Sequence, residues 1–418
     1  MYATSVAPGE SLAQIARRTG VAVAALAAAN GLAPDQGLTP GLALVVPSSQ
    51  YIVQPGDTLF SIARQSGLTV AELRRANPGL PQVLYPGRRL RIPDPPRRAA
   101  EVIGYLPLTD PGVTAEDIAP WQGGITWVAL FSHLIDSEGN LPPISDAAAI
   151  SAAREAGAEP LLSIANMEPG GAFSPDLARR IITVPEVRER TIANVVRLLD
   201  EKGYAGVDAD IENIDADLRQ GYVNFLTELK QRIGDRLLNV AVPPKYDEQT
   251  FAYARGHDYA GIGQVADRVY IMNYEFSWVG GPPGPIAPLP QYRRVLLYAA
   301  SLIDRSKLLA GISTTAYDWE LPDTPENRAR PLSHDAAVAL AIERGVPIRY
   351  SEPQASPWFR YTEGGVEREV WFEDARSLLA KFAVIRDLGL RGYGIWHLGS
   401  RSSALVTLGR LLFSVGTQ

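Results

Sequence analysis

Cysteine is missing from all 418 residues, which removes disulfide frameworks, thiolate metal sites and cysteine nucleophiles together. Histidine is nearly as scarce. His133, His257, His334 and His397 lie far apart without the paired spacing of a ligand set, so neither a metal nor a cofactor is expected. Positive charge is limited as well: the formal net charge is −6, the pI is near 5.5, and no basic stripe is interleaved with aromatics, which argues against a nucleic-acid partner. No run of about 20 apolar residues could span a bilayer, so no membrane partner is expected. The opening Met1-Tyr2-Ala3-Thr4-Ser5 lacks a basic segment followed by an apolar run, and a chain made in the cytosol without a conventional secretory signal is the expectation.

What is present is enough apolar material for a large core, 46% of residues, in a chain long enough for two or three domains. The most informative stretch is Gly206-Val207-Asp208-Ala209-Asp210-Ile211-Glu212-Asn213. In a strand, Asp208, Asp210 and Glu212 project to one face with Cα atoms about 7 Å apart per step, while Val207, Ala209 and Ile211 take the other. Crowded carboxylates force at least one to keep its proton near neutral pH, and a protonated carboxylic acid is what general acid catalysis requires. A solvent-facing edge strand or a calcium loop remains open on spacing alone. The edge strand would want polar flanks, where Leu198, Leu199 and Tyr204 stand, and the calcium loop would want more oxygen ligands and a turn glycine.

The first hundred residues repeat at an offset of 47: Ala7-Pro8-Gly9-Glu10-Ser11-Leu12-Ala13-Gln14-Ile15-Ala16-Arg17 matches Gln54-Pro55-Gly56-Asp57-Thr58-Leu59-Phe60-Ser61-Ile62-Ala63-Arg64. Ala29-Asn30 matches Ala76-Asn77, and each copy closes with Pro-Gly and a short apolar strand. Ser11 and Thr58 precede apolar residues at helical spacing, so each unit reads strand, helix, helix, strand. This pattern resembles the LysM module, a family that binds N-acetylglucosamine polymers such as peptidoglycan and chitin. The resemblance implies glycan contacts from the loop after the first strand and the loop after the second helix. Carried over, these are Gly9, Glu10, Ser11, Leu12, Asn30 and Gly31 in the first copy and Gly56, Asp57, Thr58, Leu59, Asn77, Pro78 and Gly79 in the second. Many of the same residues could instead cap helices and make turns.

Residues 1–94 carry eight Arg and five Asp or Glu, net +3, leaving −9 for the remainder. The expected organisation is one module at 1–48, a second at 49–94, a short stiff linker at 95–100 around Pro95-Pro96, and a large domain at 101–418. In that domain, strand-like runs alternate with helical patterns: 101–106, 125–131, 160–165, 204–212, 237–242, 268–274, 308–313 and 392–398. Eight such runs suit an α/β fold of the (β/α)8 TIM barrel type, whose chemistry sits at the carboxyl ends of the strands. The acidic triplet ends the fourth run. The interval 317–372 is too long for a barrel loop and reads as a small α+β insertion after strand seven, forming one wall of a substrate groove.

The fourth run resembles the Asp-Gly-x-Asp-x-Asp-x-Glu signature of glycoside hydrolase family 18, with Ala205 in place of the first Asp. More narrowly, the domain is similar to the LysM-bearing cortical-fragment-lytic N-acetylglucosaminidases of spore-forming bacteria. Val242-Pro243-Pro244-Lys245, Tyr270-Ile271-Met272-Asn273-Tyr274-Glu275, Tyr317-Asp318-Trp319-Glu320 and Gly394-Ile395-Trp396-His397 spread that similarity along its length. The resemblance implies retaining cleavage in which the substrate's own 2-acetamido group is the nucleophile, an exception to the two-carboxylate rule. It implies Glu212 as the proton donor and later water activator, Asp210 as the acetamide clamp, and Asp208 beneath it. Tyr274 would donate to the acetamide oxygen, with Met272 on the same strand face. Glu275 stands where many members have Asp. Trp396 would floor the sugar site, although a core role is equally open, and Asp208 could be a buried hydrogen-bonding group. Asn166, Tyr105, Trp278 and Trp319 are groove candidates that could equally be packing residues. The implied activity is hydrolysis of β-1,4 bonds after N-acetylglucosamine in peptidoglycan, including spore cortex. Alternatives are a chitinase or a non-catalytic glycan-binding coat protein. The implied location is the spore coat or cortex region, or alternatively the cell wall.

Overall fold

The computed structural model describes residues 1–418 apart from Gln82, Thr109, Pro111, Pro169, Pro325, Glu326, Thr417 and Gln418. Pro325 and Glu326 fall within the expected insertion and so lie outside the described residues.

Each module is built as its sequence pattern requires. The first runs strand Tyr2–Ser5, helices Leu12–Thr19 and Val23–Ala29, and strand Ala43–Val46; the second runs Gln50–Ile52, Leu59–Gln65, Val70–Ala76 and Arg89–Arg91. The two strands of each module pair antiparallel. Ser11 and Thr58 start their helices as capping boxes, satisfying backbone N–H groups that would otherwise lack partners.

Eight parallel strands then close into a barrel: Arg98–Pro107, Trp127–Leu134, Glu159–Ala165, Gly206–Asp210, Leu237–Val242, Arg268–Ile271, Leu308–Ser313 and Gly392–Trp396. Each pairs with the next, and the eighth returns to the first. Helices such as Pro185–Lys202, Arg219–Ile233 and Ala375–Leu388 cover the outside. Both faces of a barrel strand are buried, one by the filled interior and the other by helices. In the fourth strand this sends Val207 and Ala209, both fully buried, toward the helices and Asp208 and Asp210 inward.

Several expected boundaries shift: the second run, 125–131, lies at Trp127–Leu134, the sixth stops at Ile271 instead of 274 and the eighth at Trp396 instead of 398, and two further shifts bear on the site. The first barrel strand starts at Arg98, inside the expected linker, because Phe413–Val415 adds a parallel strand beside Arg98–Ala100. The fourth strand ends at Asp210, so Glu212 lies beyond the ladder and the triplet does not share one strand.

Between strands seven and eight the insertion forms a five-stranded antiparallel sheet, Thr315–Leu321, Arg330–Ser333, Arg349–Ser351, Ser356–Glu363 and Val366–Trp371, with helix His334–Glu343. Its apolar residues Ala337, Ala341, Ile348, Phe359, Val370 and Phe372 share a continuous core with both modules. Thr39 Oγ1 donates to Val346 O at 2.6 Å and Ile348 N–H to Pro40 O at 2.9 Å, so the first module is docked by hydrogen bonds as well. Among the described residues no helix is long and apolar enough to cross a membrane.

Candidate active site

At the carboxyl ends of the barrel strands opens a cavity of about 610 Å³. Its floor and walls include Tyr105, Phe131, Asp210, Glu212, Tyr270, Met272, Tyr274, Glu275 and Trp396. The three acids occupy distinct environments.

Asp208 is fully buried. One carboxyl oxygen accepts from Tyr105 Oη at 2.9 Å and Asn239 Nδ2 at 2.6 Å, and the other from Ser163 Oγ at 2.8 Å. Ser163 and Asn239 are its register partners on strands three and five, so the barrel itself assembles this donor set. Burial still outweighs the three hydrogen bonds and pushes Asp208 up to about 6. Asp210, one step nearer the mouth, is 3% exposed and its Oδ1 has no hydrogen-bond partner among the described residues. Burial, then Glu212, then Asp208 raise it well above the usual carboxylate range. Glu212 is half-buried on the cavity surface and is pushed up to about 7 by burial and by Glu275. The order of the carboxyls along the barrel axis is thus a buried hydrogen-bonded acid, an unpartnered one and one at the surface of the cavity.

Glu212 is held past the strand end by Asn166. The Asn166 amide donates to Glu212 O at 2.9 Å and to Ser174 O at 2.9 Å, and its carbonyl accepts from Glu212 N–H at 2.8 Å. Both ends of that side chain are used on backbone, so Asn166 positions the Glu212 main chain instead of facing the groove. His257 supports the preceding residue through an Nε2 contact with Ile211 O at 2.9 Å.

On the facing wall, Tyr274 sits over strand seven at Gly311, where a Cβ would come within 2.8 Å of the Tyr274 ring; only glycine permits that approach. Tyr270 Oη donates to Tyr274 Oη at 3.1 Å. Glu275 adopts φ +58, a left-handed conformation uncommon for a side chain of its size, and accepts from Tyr317 Oη at 2.9 Å. Burial raises the Glu275 carboxyl. Trp396 is supported edge-on by Phe131 at 5.1 Å and tilted against Tyr105 at 5.8 Å, leaving part of its ring surface to the cavity. Trp278 also lines the cavity and is 48% exposed, whereas Trp319 is 1% exposed and donates Nε1–H to Gly281 O at 2.8 Å. Trp319 therefore anchors a loop.

The insertion does not supply the expected wall. The described cavity residues all belong to the barrel strands and their shorter loops, and the insertion reaches them through Tyr317 and its bond to Glu275. Its apolar residues are instead spent on the core shared with the modules. Among the described residues, no group of three or more His, Asp or Glu side chains is arranged to hold a metal ion.

The candidate glycan residues of the modules fall into two sets. Leu12 and Leu59 are buried in their modules' cores. The Ser11 and Thr58 hydroxyls serve as helix caps, and Glu10 pairs with Arg18 at 2.9 Å. Asp57 accepts from Tyr51 Oη at 2.8 Å and Gln54 N–H at 2.7 Å. Asn30 and Asn77 play identical structural parts: Asn30 exchanges hydrogen bonds with the backbone of Val45, and Asn77 with that of Arg91, tying the second helix to the closing strand. Gly9, Gly56, Pro78 and Gly79 are exposed. Gly31 is pressed against the barrel, where an added Cβ would lie 2.2 Å from Ser403 Oγ.

The sequence profile described as glycosyl hydrolases family 18 matches residues 125–400, and that of the LysM domain matches residues 5–47 and 51–93. The chain belongs to glycosyl hydrolase family 18. It is a glycosidase with two LysM domains, similar to the cortical fragment-lytic enzyme of Bacillus anthracis at 37% identity over 94% of each chain. Among solved structures, the spore cortex-lytic enzyme of Bacillus cereus superposes with a TM-score of 0.91 at 31% identity, covering 99% of this chain and 98% of that one. The Bacillus megaterium spore cortex-lytic enzyme gives 0.85 at 31% identity over 100% and 99%.

Within this family 18 barrel the sequence pattern led to Asp208, Asp210, Glu212, Met272, Tyr274, Glu275 and Trp396, which the fold gathers around one cavity or directly beneath it. Ser163, Asn239, Phe173, Tyr253 and Tyr270 escaped it. Ser163 and Asn239 sit in ordinary strand runs, and their signal is spatial register with Asp208. Tyr253, 44% exposed at the rim, lies in a single 3-10 turn, Ala252–Ala254, too short for periodicity to mark it.

Proposed function

We propose that this enzyme hydrolyses β-1,4 bonds after N-acetylglucosamine in peptidoglycan of the spore cortex type, with retention and with the substrate's acetamide as nucleophile. The observation that carries the reading is the graded set of carboxyls, with Glu212 half-buried on the cavity surface and raised to about 7. A carboxyl in that range is protonated in a large fraction near neutrality and can protonate a leaving oxygen, then accept a proton from water in the second half-reaction. Asp210 lines the cavity and has a buried oxygen lacking a partner, which suits it to accept an acetamide N–H. Asp208 holds its charge on three donors and acts on Asp210 from below. Tyr274 would orient the acetamide oxygen, and the open surface of Trp396 would carry the sugar's apolar face. The substrate class is supported by the cortex-lytic names of relatives that align over nearly the whole chain, and by the LysM domains. Spore association of this chain follows the same support, with the coat or cortex region as the proposed site.

The test is release of reducing ends from spore cortex fragments, vegetative peptidoglycan and chitin oligomers by the wild type and by Glu212→Gln. Cleavage of peptidoglycan that disappears in the variant is expected. Turnover of chitin alone would replace peptidoglycan as the substrate, and equal rates for the two proteins would remove Glu212 from catalysis.

A further inference from the structure

The two LysM domains differ where their sequences align. Arg88, Arg89 and Arg91 of the second match Leu42, Ala43 and Val45 of the first, and Asn77 and Asn30 fix the two closing strands identically. In the first domain the outer face of this strand is covered: Ala43 and Val45 are 8% and 0% exposed and belong to the barrel's own core, while Leu42, just ahead of the strand, packs into the core shared by the modules and the insertion. In the second, Arg88, Arg89 and Arg91 are exposed.

Asn77 also brings the last turn of helix Val70–Ala76 against this strand, adding exposed Arg74 and Arg75. Arg74 reaches over the following loop to Leu80 O at 3.4 Å. Of the six arginines in 49–94, Arg64 alone has a carboxylate within ion-pair distance among the described residues, Glu352 at 2.9 Å. The remaining five form a cationic surface on a chain that is otherwise net negative. The same domain exposes Phe60, Val83 and Tyr85 at 67%, 62% and 69%, whereas the first domain has Ala13 in place of Phe60. Apolar side chains can lie against sugar faces, while arginine forks pair with carboxylates.

We propose that the outer face of the second LysM domain's closing strand recognises the stem-peptide carboxylates of a peptidoglycan-type glycan, and that the first domain serves to fix this face to the barrel. This rests on the peptidoglycan reading above. It assigns discrimination between an acidic polymer and neutral chitin to charge outside the catalytic cavity.

Full-length wild type and Arg88→Gln/Arg89→Gln/Arg91→Gln are compared by sedimentation with four polymers: intact sacculi, sacculi stripped of phosphate polymers by hydrofluoric acid, stripped sacculi with amidated carboxyls, and chitin. Removing three exposed cations is expected to weaken attachment to stripped sacculi about tenfold at low salt. Amidation should weaken the wild type similarly, and the variant should match the wild type on amidated sacculi and on chitin. Its thermal unfolding and its cleavage of soluble fragments should be unchanged. Equal attachment of both proteins to stripped sacculi, or wild-type attachment that survives amidation, would overturn the proposal. Attachment lost on phosphate removal would transfer the surface to another anion and overturn it too. Cleavage is read separately, so a wild type that fails to cut soluble fragments defeats the hydrolase reading without touching the charge comparison.

Discussion

At the barrel mouth three carboxyls are buried or half-buried with little positive charge nearby, whereas on the second LysM domain five arginines stand in water with no carboxylate within ion-pair distance among the described residues. Both regions hold like charges close together, yet the consequences are opposite. In the barrel, burial raises Asp208 to about 6 against its three hydrogen bonds, and burial together with Glu275 raises Glu212 to about 7. On the module, water and salt screen each charge within about 8 Å, so the arginines act by number. The first region can do proton chemistry and the second can only attract.

The sharpest way to break this contrast is to neutralise one group in each region. Glu212→Gln keeps the shape and removes the transferable proton, and kcat should fall by about 10² to 10⁴-fold while sedimentation with the polymer is unchanged. A comparable loss of sedimentation would mean that the two regions do not work independently.

The pH dependence of stability is the next largest effect. Folded-state carboxyls raised above their unfolded values leave the native state holding more protons than the unfolded one across the interval between the two. The stability contributed by Asp208 is therefore full below about pH 4 and is lost as pH rises to about 6, after which it levels. For Asp208 alone, a rise from 3.8 to about 6 corresponds to about 3 kcal/mol between the plateaus. Denaturant unfolding of the wild type and of Asp208→Asn from pH 4 to 8 isolates this contribution, because the opposite contribution of the buried histidines is common to both proteins: the wild type's stability relative to the variant should fall by about 3 kcal/mol as pH rises. Activity should likewise fall above about pH 7, as Glu212 loses its proton.

Asn166→Ala probes the seam between chemistry and scaffold. It deprives the Glu212 N–H and carbonyl of partners, and a loss of about 1–3 kcal/mol in unfolding free energy with a lowered kcat is expected. A KM change without a kcat change would return Asn166 to the groove. Smallest is the salt response. Raising salt from low to about 0.5 M should weaken attachment to peptidoglycan several-fold and leave kcat on short soluble fragments nearly constant. An equal loss in both would show that the cavity also relies on exposed charge.

Much of this was legible from the residues in order. The strand runs 237–242 and 308–313 have the boundaries found, because each is an apolar segment between turn-forming or charged residues. The module caps were readable too, since Ser11 and Thr58 act within three residues of themselves. The fourth strand was less so. Its expected span ran to Glu212, but the ladder stops where Asp210 meets Ala165 on strand three, and the amide of Asn166 then takes over the backbone. That amide looked like a groove group because a sequence does not say which hydrogen bonds a side chain has already made. The insertion misled for a related reason: its alternating strands were evident, but the surface they would cover was not.

The sequence by itself determined the repeat, the barrel and the presence of acids at the end of its fourth strand, because periodicity and capping act over a few residues. It also determined that two LysM copies exist. Only the tertiary structure decided that they differ, one closing strand buried against the barrel and its counterpart exposing Arg89 and Arg91, with Arg88 just ahead of them. The same is true of the acids. Their inequality arises because burial and cross-strand register, not spacing along the chain, set the work required to charge each one.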